Sequence, residues 1–269
     1  MIYIMQDYTS KQFLGGAALI MEGLSTLPEC PDEMQFLTAR DFSRELVDGS
    51  PIIMGRIETF DQHDLSWVAN TQQYIRTWFD YGYCRFQNGG VRHDCGTVCK
   101  SRFRGYQRLL DNAKLNVYQS PGQRRKHARY LELKKDVCWV GPVNIELFLN
   151  AGGEKRETRF FGFGPQLEHK GYPMVKKIFP KLRVIELMTR GAVADYMKHS
   201  THYVHLPRWY EPTPCAAIEA YLAGCELIIN ERLGVFSYPW DWDNKDEIID
   251  RLDASNQSYW PMVAPLLGY

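Results

Sequence analysis

Short, almost continuously apolar runs recur along the chain, separated by segments whose apolar residues lie three or four positions apart. Such runs are typical of strands buried on both faces of a parallel sheet, and the wider spacing is typical of amphipathic helices. The predicted strands are Ile2–Gln6, Met34–Thr38, Pro51–Met54, Tyr74–Trp78, Leu115–Gln119, Val137–Val140, Arg159–Phe163, Arg183–Leu187, Tyr203–Leu206 and Leu227–Asn230.

Helical patterns alternate with these strands, which favours parallel sheets covered on both faces. The first predicted helix follows the Gly15-Gly16 turn and ends near Leu27, and the others cover Gln123–Leu133, Pro173–Phe179, Ala192–His199 and Cys215–Ala223. A glycine-rich break at residues 151–153 separates two such series. The sequence therefore predicts an α/β protein of two Rossmann-like, doubly wound domains, residues 1–150 and 151–269, facing each other across a ligand-binding cleft. The terminal stretch Tyr259–Tyr269 is a candidate for crossing back into the first domain.

Composition describes a packed globular protein without a dominant charge. Of 269 residues, 45% are hydrophobic and 24% charged, and the 32 basic residues balance the 32 acidic ones, so no global positive field favours nucleic acid or anionic membrane. No run of about 20 apolar residues that could span a bilayer is present. Seven cysteines, an odd number, and an N-terminus unlike a signal peptide favour reduced thiols. We therefore expect a soluble, cytoplasmic protein.

Two carboxylates flank the start of the predicted helix at Cys215. Glu211 lies in the proline-stiffened loop after a strand, and Glu219 lies one turn inside the helix, with seven residues between them. The N-terminus of a helix favours a phosphate, and carboxylates accept hydrogen bonds from sugar hydroxyls. The arrangement suits a sugar joined to a diphosphate. A capping charge and a solvated residue at the same spacing remain the alternative.

This block resembles the Glu-x7-Glu signature of retaining glycosyltransferases with the GT-B fold. There, as in Ala223-Gly224-Cys225 before Leu227, the helix leads through a small-residue turn into a buried strand. Other segments resemble parts of that family in the same order: Gly15-Gly16-Ala17, Phe79-Asp80-Tyr81, Val117-Tyr118-Gln119-Ser120, Gly141-Pro142-Val143-Asn144 and Gly164 with Lys170-Gly171.

The resemblance implies transfer of a hexose-like sugar from a nucleotide-diphosphate sugar, the co-substrate, with retention and without a cofactor or metal. It implies that Lys170 neutralises the diphosphate, that Glu219 hydrogen-bonds the ribose, and that Glu211 acts beside the transferred sugar. The further donor contacts that it implies are Gly15, Gly16, Cys215 and Ala216, and the further catalytic residue is Asp80.

The chain departs from this family at several positions. Pro165 stands where an arginine is expected, so the second cation for the diphosphate must come from elsewhere; the candidates are Arg183, Arg190 and Arg208. Phe79 replaces the histidine before Asp80. The chain is also short for the fold, which indicates a minimal version, an economy common in viral genomes.

A basic stretch covers residues 100–135, where eleven lysines and arginines stand against two acidic residues, with aromatic residues interleaved. Such a stretch can bind nucleic acid by phosphate contacts and stacking, and Arg124 and Arg125 are the candidate acceptor-binding residues. The acceptor would then be anionic: DNA, for example a hydroxymethylated base modified by a viral enzyme, or a phosphorylated lipid or glycan. A catalytically silent nucleic-acid-binding relative and an ordinary solvated helix face are the alternatives.

Two groups of residues bear on metal binding. Cys84, His93, Cys95 and Cys99 are a possible zinc set, although the Cys-x3-Cys spacing favours ordinary free thiols. The Asp-Trp-Asp sequence at residues 241–243 resembles the Asp-x-Asp of metal-dependent glycosyltransferases of another fold. It precedes an acidic helix, so we expect it to cap that helix.

Overall fold

The structure is a computed structural model that describes residues 1–7, 16–79, 81, 83–84, 99–150, 157–163, 170–185, 188–212 and 215–269. The chain divides into two compact units. The first contains residues 1–142 and 254–269, and the second contains residues 143–253. The division thus lies at Pro142, eight residues before the sequence-based boundary at residue 150, and the C-terminal segment belongs to the first unit.

The first unit is built on a six-stranded parallel sheet in the order β2-β1-β3-β4-β5-β6. Its strands are β1 (Ile2–Met5), β2 (Met34–Leu37), β3 (Ile52–Met54), β4 (Tyr74–Trp78), β5 (Leu115–Tyr118) and β6 (Asp136–Cys138). Every residue of β1, β3 and β4 is buried, as expected of strands covered on both faces. After β1, the chain adds β2 on one side of it and then β3 and the later strands on the other side. The direction in which strands are added therefore reverses between β1 and β3.

Short helices connect these strands, and polar caps mark where most of them begin. They are α1 (Gly16–Gly23), α2 (Arg44–Val47), α3 (Gln62–Thr71), α4 (Lys100–Asn112) and α5 (Pro121–His127). The side chains of Ser43, Asp61 and Ser120 accept hydrogen bonds from backbone N–H groups in the first turns of α2, α3 and α5. The predicted helix over Gln123–Leu133 is therefore shorter and begins earlier than its sequence pattern indicates.

The second unit contains a four-stranded parallel sheet in the order β10-β9-β7-β8. Its strands are β7 (Glu157–Phe163), β8 (Arg183–Ile185), β9 (Ser200–His205) and β10 (Glu226–Ile229). Its helices are α6 (Ile145–Phe148), α7 (Tyr172–Ile178), α8 (Arg190–Lys198) and α9 (Cys215–Leu222). In both units, helices alternate with the parallel strands, as the sequence pattern predicts. The predicted α/β fold class is therefore confirmed.

The last helix, α10 (Lys245–Leu267), begins in the second unit and continues into the first. Within the first unit, the indole nitrogen of Trp260 donates to the carbonyl of Leu24 at 2.9 Å, and that of Trp139 donates to Ser255 at 2.8 Å. These bonds fix the C-terminal half of α10. None of the helices in the described part of the chain combines the length and apolar composition needed to cross a membrane.

Candidate functional site

The strand order of the second sheet creates a switch point between β7 and β9. The chain leaves β7 toward β8 on one side, and leaves β9 toward β10 on the other. Ligands of doubly wound proteins bind outside the carboxyl ends of the strands at such a point. Lys170 follows β7, and Glu211 follows β9, so the fold brings two of the predicted site residues to the same edge.

Lys170, His205 and Glu211 are in contact at this edge. Lys170 Nζ donates a hydrogen bond of 2.9 Å to Glu211 Oε2 and lies 2.9 Å from Oε1. His205 Nε2 lies 3.0 Å from Glu211 Oε2. The side chains of Glu211 and His205 are only 15% and 2% exposed, so the carboxylate is largely withdrawn from water. Lys170 and Glu211 were predicted as site residues from the sequence, but neither their ion pair nor the contact of His205 with Glu211 was.

The electrostatic balance of this cluster favours an ionised Glu211. Burial alone raises the pKa of its carboxyl group. The charges of His205 and Lys170, together with their hydrogen bonds, lower it by more, so the net pKa lies well below its usual range. At neutral pH, Glu211 is therefore a carboxylate that only accepts hydrogen bonds, which suits contact with hydroxyl groups or with developing positive charge.

Two glycines allow the backbone to place Lys170 here. Gly171 has φ +77°, and a Cβ atom on it would lie 2.3 Å from the carbonyl oxygen of Leu206, directly after β9. A Cβ atom on Gly162, in β7, would lie 2.6 Å from the ring of Tyr172, the first residue of α7. Because only glycine fits both positions without rearrangement, the turn that carries Lys170 packs directly against the end of β9.

The loop that carries Glu211 is held by the segment after β10. The backbone N–H of Glu211 donates to Arg232 O at 2.9 Å, and its carbonyl accepts from Gly234 N at 2.7 Å. Asn230 Nδ2 also donates to Pro207 O at 3.2 Å. The position of Glu211 is therefore fixed by backbone hydrogen bonds as well as by its side chain.

The second glutamate of the Glu-x7-Glu block has its own cationic partner. Arg190, the first residue of α8, places a guanidinium nitrogen 2.6 Å from Glu219 Oε1, and the Glu219 side chain is 3% exposed. Burial raises the pKa of Glu219, and the attraction of Arg190 offsets only part of that effect. The guanidinium also lies over the ring of Phe148, 4.7 Å from its centroid.

The structure places the three candidates for a second diphosphate cation differently. Arg183 begins β8, at the amino end of a parallel strand and therefore at the opposite edge from the site, which argues against it. Arg208 is exposed in the loop after β9, where its carbonyl accepts a hydrogen bond of 2.7 Å from Arg232. Arg190 instead contacts a glutamate one turn inside α9.

The first turn of α9 begins at Cys215 and Ala216, as the sequence analysis predicts for the helix. Burial raises the pKa of the Cys215 thiol to about 12, with a further increase from Glu219 and a decrease from Arg190. The thiol is therefore neutral and is not a nucleophile at physiological pH. What this turn can offer a ligand is its backbone N–H groups. Residues 213–214 of the preceding loop lie outside the described residues.

In the first unit, Gly15 and Asp80 lie outside the described residues, and Gly16 is the first residue of α1.

The structure shows a charged cluster at the carboxyl ends of β1 and β3 that was not predicted from the sequence. Asp7 accepts hydrogen bonds from the backbone and hydroxyl of Thr59 at 2.9 and 2.8 Å. Arg56 Nε lies 3.0 Å from Glu58 and 3.3 Å from Asp7. Arg76, buried within β4, donates to the carbonyl of Met54.

The basic stretch lies mainly on the surface of α4 and α5. Arg124 forms an ion pair with Asp136, while Arg125 is exposed. Lys134 lies 3.2 Å from Asp111 and 3.5 Å from Glu132, so a single lysine contacts both acidic residues of the stretch. The remaining exposed basic residues include Lys100, Arg102, Arg104, Arg108 and Arg129. A positive surface therefore exists in the first unit, and Arg125 is part of it.

Among the described residues, no group of three or more His, Cys, Asp or Glu side chains is arranged so that it could hold a metal ion. Cys84 and Cys99 are buried, and His93 and Cys95 of the possible zinc set lie outside the described residues. In the Asp-Trp-Asp sequence, Asp241 accepts from the N–H of Asp243, while Asn244 caps α10 by accepting from the N–H of Glu247. The cap is thus the asparagine that follows the predicted carboxylates.

Solved structures of glycosyltransferases share this architecture along almost the whole chain. HepE from Anabaena, solved with UDP, matches with a TM-score of 0.62 at 11% identity over 96% of this chain and 93% of that chain. Sucrose-phosphate synthase from Thermosynechococcus elongatus matches with a TM-score of 0.62 at 12% identity over 99% and 97%. An α-glucosyltransferase solved with UDP-glucose and DNA containing an abasic site matches with a TM-score of 0.54 at 9% identity over 99% and 94%.

These likenesses define the class of fold: the chain has the GT-B fold of nucleotide-sugar glycosyltransferases. No model of a known protein family matches the sequence, and no curated protein does either.

Proposed function

We propose that the protein is a glycosyltransferase that moves a sugar from a nucleotide-diphosphate sugar to an acceptor hydroxyl. The observation that carries the proposal is the cluster of Lys170, His205 and Glu211 at the switch point of the second sheet, in a chain with the GT-B fold. In this proposal the second unit binds the donor, and the first unit binds the acceptor.

The proposed donor contacts use the charges at this edge. Lys170 and Arg190 neutralise the diphosphate, and the N–H groups of Cys215 and Ala216 add the favourable end of the α9 dipole. As the bond between the anomeric carbon and the diphosphate breaks, its electron pair leaves with the phosphate oxygen, and these groups stabilise the charge. The acceptor oxygen forms the new bond to the anomeric carbon, and its proton passes to the departing phosphate oxygen. Glu211 accepts hydrogen bonds from the sugar and faces the developing positive charge. The proposed reaction proceeds with retention and without a metal.

A two-step experiment tests this proposal. A thermal-shift screen against nucleotide sugars, including UDP-glucose, should raise the Tm of the protein with at least one of them, because a ligand that binds the folded state stabilises it. In the product formed with that donor, NMR should show the same anomeric configuration as the sugar has in the donor. An inverted product contradicts the retaining mechanism, and no shift with any nucleotide sugar contradicts the proposed function.

Two variants then separate binding from turnover. Lys170→Ala removes a cation, so the Kd for the donor should rise roughly tenfold or more. Glu211→Gln leaves both cations in place, so it should keep donor binding but lose turnover. Lys177→Ala, an exposed lysine on α7, is the matched control and should behave like the wild type. Near-normal turnover in both site variants refutes the assignment.

DNA is a second candidate partner, favoured by the exposed basic residues of α4 and α5 and by the DNA-bound glycosyltransferase among the similar structures. We propose that DNA carrying a hydroxymethylated base is one acceptor to test, among other anionic acceptors. Binding should weaken steeply with salt, and Arg104→Ala together with Arg125→Ala should reduce the salt slope by about 2. Salt-dependent DNA binding without turnover of any nucleotide sugar would favour a catalytically silent DNA-binding protein.

A further inference from the structure

The first sheet has a switch point of its own, between β1 and β3. The charged cluster of the first unit lies there and consists of Asp7, Arg56, Glu58, Thr59 and Arg76. The backbone N–H of Asp7 donates to the carbonyl of Arg56 at 2.7 Å, so the two segments stay paired beyond the ends of their strands. Ligands of doubly wound proteins bind at such an edge.

The cluster offers a ligand both hydrogen-bond donors and acceptors. Arg56 and Glu58 are partly exposed and Thr59 is exposed, so these three residues form its accessible side. The guanidinium of Arg56 only donates, while the carboxyl groups of Glu58 and Asp7 accept. The hydroxyl of Thr59 donates to Asp7 at 2.8 Å and can still accept a further bond. The ligand that matches this set is one that itself both donates and accepts.

Two buried polar side chains at the same edge are only partly satisfied. Gln6, which precedes Asp7, and Arg76 are each 2% exposed. Among the described residues, neither amide atom of Gln6 nor Nε of Arg76 has a hydrogen-bond partner. Another guanidinium nitrogen of Arg76 donates to the carbonyl of Met54 at 3.1 Å, which places this group at the end of β3. Since buried polar atoms are nearly always partnered, these atoms indicate a ligand at this edge.

A neutral ligand fits the cluster better than an anion. Arg56 Nε lies 3.0 Å from Glu58 and 3.3 Å from Asp7. A phosphate would have to compete with both carboxyl groups for this guanidinium, and its oxygens would meet theirs. A hydroxyl group can instead donate to a carboxyl oxygen and accept from the guanidinium, so the ion pairs stay in place. Sugars carry several such hydroxyls on a neutral ring.

We propose that the charged cluster, together with Gln6, is the acceptor site and that it takes a neutral sugar. Arg56, Glu58 and Thr59 bind the hydroxyls of that sugar, and the amide of Gln6 completes its hydrogen bonds when the sugar is bound. The inference rests on the proposed function, in which the first unit binds the acceptor. The exposed basic residues of α4 and α5 are then a separate surface, which does not hold the reacting group.

Saturation-transfer NMR with methyl glycosides of glucose, galactose, mannose and N-acetylglucosamine, in both anomeric forms, tests the site. At least one of them should bind the wild type. Its Kd should rise about tenfold or more in Arg56→Met, which removes a charged donor. Arg44→Met removes an arginine that pairs with Asp64 at 2.9 Å elsewhere in the first unit, and this matched control should bind like the wild type.

Gln6→Leu separates ligand binding from a merely structural role. It replaces a buried amide by an apolar side chain of similar size, so the Tm should not fall. The Kd for the same glycoside should nevertheless rise about threefold or more, because one neutral hydrogen-bonding group is lost. If Arg56→Met does not fold, Gln6→Leu alone decides. Equal affinity of the wild type and the folded site variants overturns the inference.

The remaining outcomes separate the acceptor class from the proposed function. The 6-phosphate of the same sugar should bind no more tightly than the glycoside; tighter binding that is lost in Arg56→Met would identify an anion site and overturn the inference. Transfer to DNA with a hydroxymethylated base, without binding of any glycoside, also overturns it and leaves the proposed function standing. If no nucleotide sugar raises the Tm of the wild type, the proposed function fails, and the acceptor role falls with it.

Discussion

Glu58 offers a sharp test of the electrostatics in the first unit. Its side chain is 19% exposed and lies 3.0 Å from Arg56 Nε. Burial raises the pKa of its carboxyl group from 4.5 to about 7, with further increases from a hydrogen bond to Asp7 and from the charge of Asp7; Arg76 and Arg56 act in the opposite direction. Glu58 therefore keeps its proton up to near-neutral pH and can donate it in a hydrogen bond to Asp7.

The raised pKa has a definite cost in stability. The folded state binds the proton more tightly than the unfolded state does, so stability is highest below about pH 4.5 for this group and falls as the pH rises to about 7. A change from 4.5 to about 7 corresponds to about 3 kcal/mol, at 1.36 kcal/mol for each tenfold change in the acid constant. Above pH 7 the full cost applies.

Glu58→Gln should remove this cost, because the amide can still donate to Asp7 and does not ionise. We expect equal stability of variant and wild type near pH 4.5, and a gain for the variant of about 2 to 3 kcal/mol at pH 8, reduced by the lost attraction to Arg56. Urea unfolding at both pH values measures the difference. Glu45→Gln, at an exposed position on α2, is the matched control. A Glu58→Gln variant that is less stable than the wild type at pH 8 would show that ionised Glu58 stabilises the folded state instead.

Two further predictions concern the second unit. Gly171→Ala places a Cβ atom 2.3 Å from the Leu206 carbonyl at a positive φ, so it should lower stability by about 2 kcal/mol or more in thermal unfolding and weaken donor binding; an unchanged Tm would contradict this packing. Arg190→Met leaves the buried Glu219 without its cation, and should destabilise by roughly 2 kcal/mol at pH 8 and by less at pH 5, where Glu219 protonates more readily. Equal losses in urea unfolding at the two pH values would argue against that ion pair.

Much of the fold was predictable because buried parallel strands leave a local signal. The apolar runs at Ile2, Ile52 and Tyr74 are buried strands within a residue or two of the predicted limits. Helices were harder to predict. In α4 the half-buried Phe103 and Tyr106 and the buried Leu109 and Leu110 recur at helical spacing, but the many charged residues between them led to an interpretation as a basic stretch rather than as a helix with an apolar face.

The candidate site was predictable only as a set of separate positions. Glu211 and Lys170 each follow a strand, and the rule for carboxyl ends places them at one edge. That they form an ion pair depends on Gly171 packing against Leu206, a tertiary contact that sequence spacing does not encode. His205 had one local signal, a histidine among the apolar residues of the predicted strand Tyr203–Leu206.

The pairing of cations with glutamates also affects which ligands the proposed donor site can hold. Lys170 and Arg190 each contact a largely buried carboxylate, at 2.9 and 2.6 Å. A ligand that draws the cations away therefore leaves Glu211 and Glu219 in need of hydrogen-bond donors, since a carboxylate only accepts. Pyrophosphate near neutral pH offers little more than a single P–OH, whereas a nucleotide sugar offers several ribose and sugar hydroxyls. Under the proposed function, the site should therefore prefer the intact donor to its charged part, although both bring the diphosphate charge.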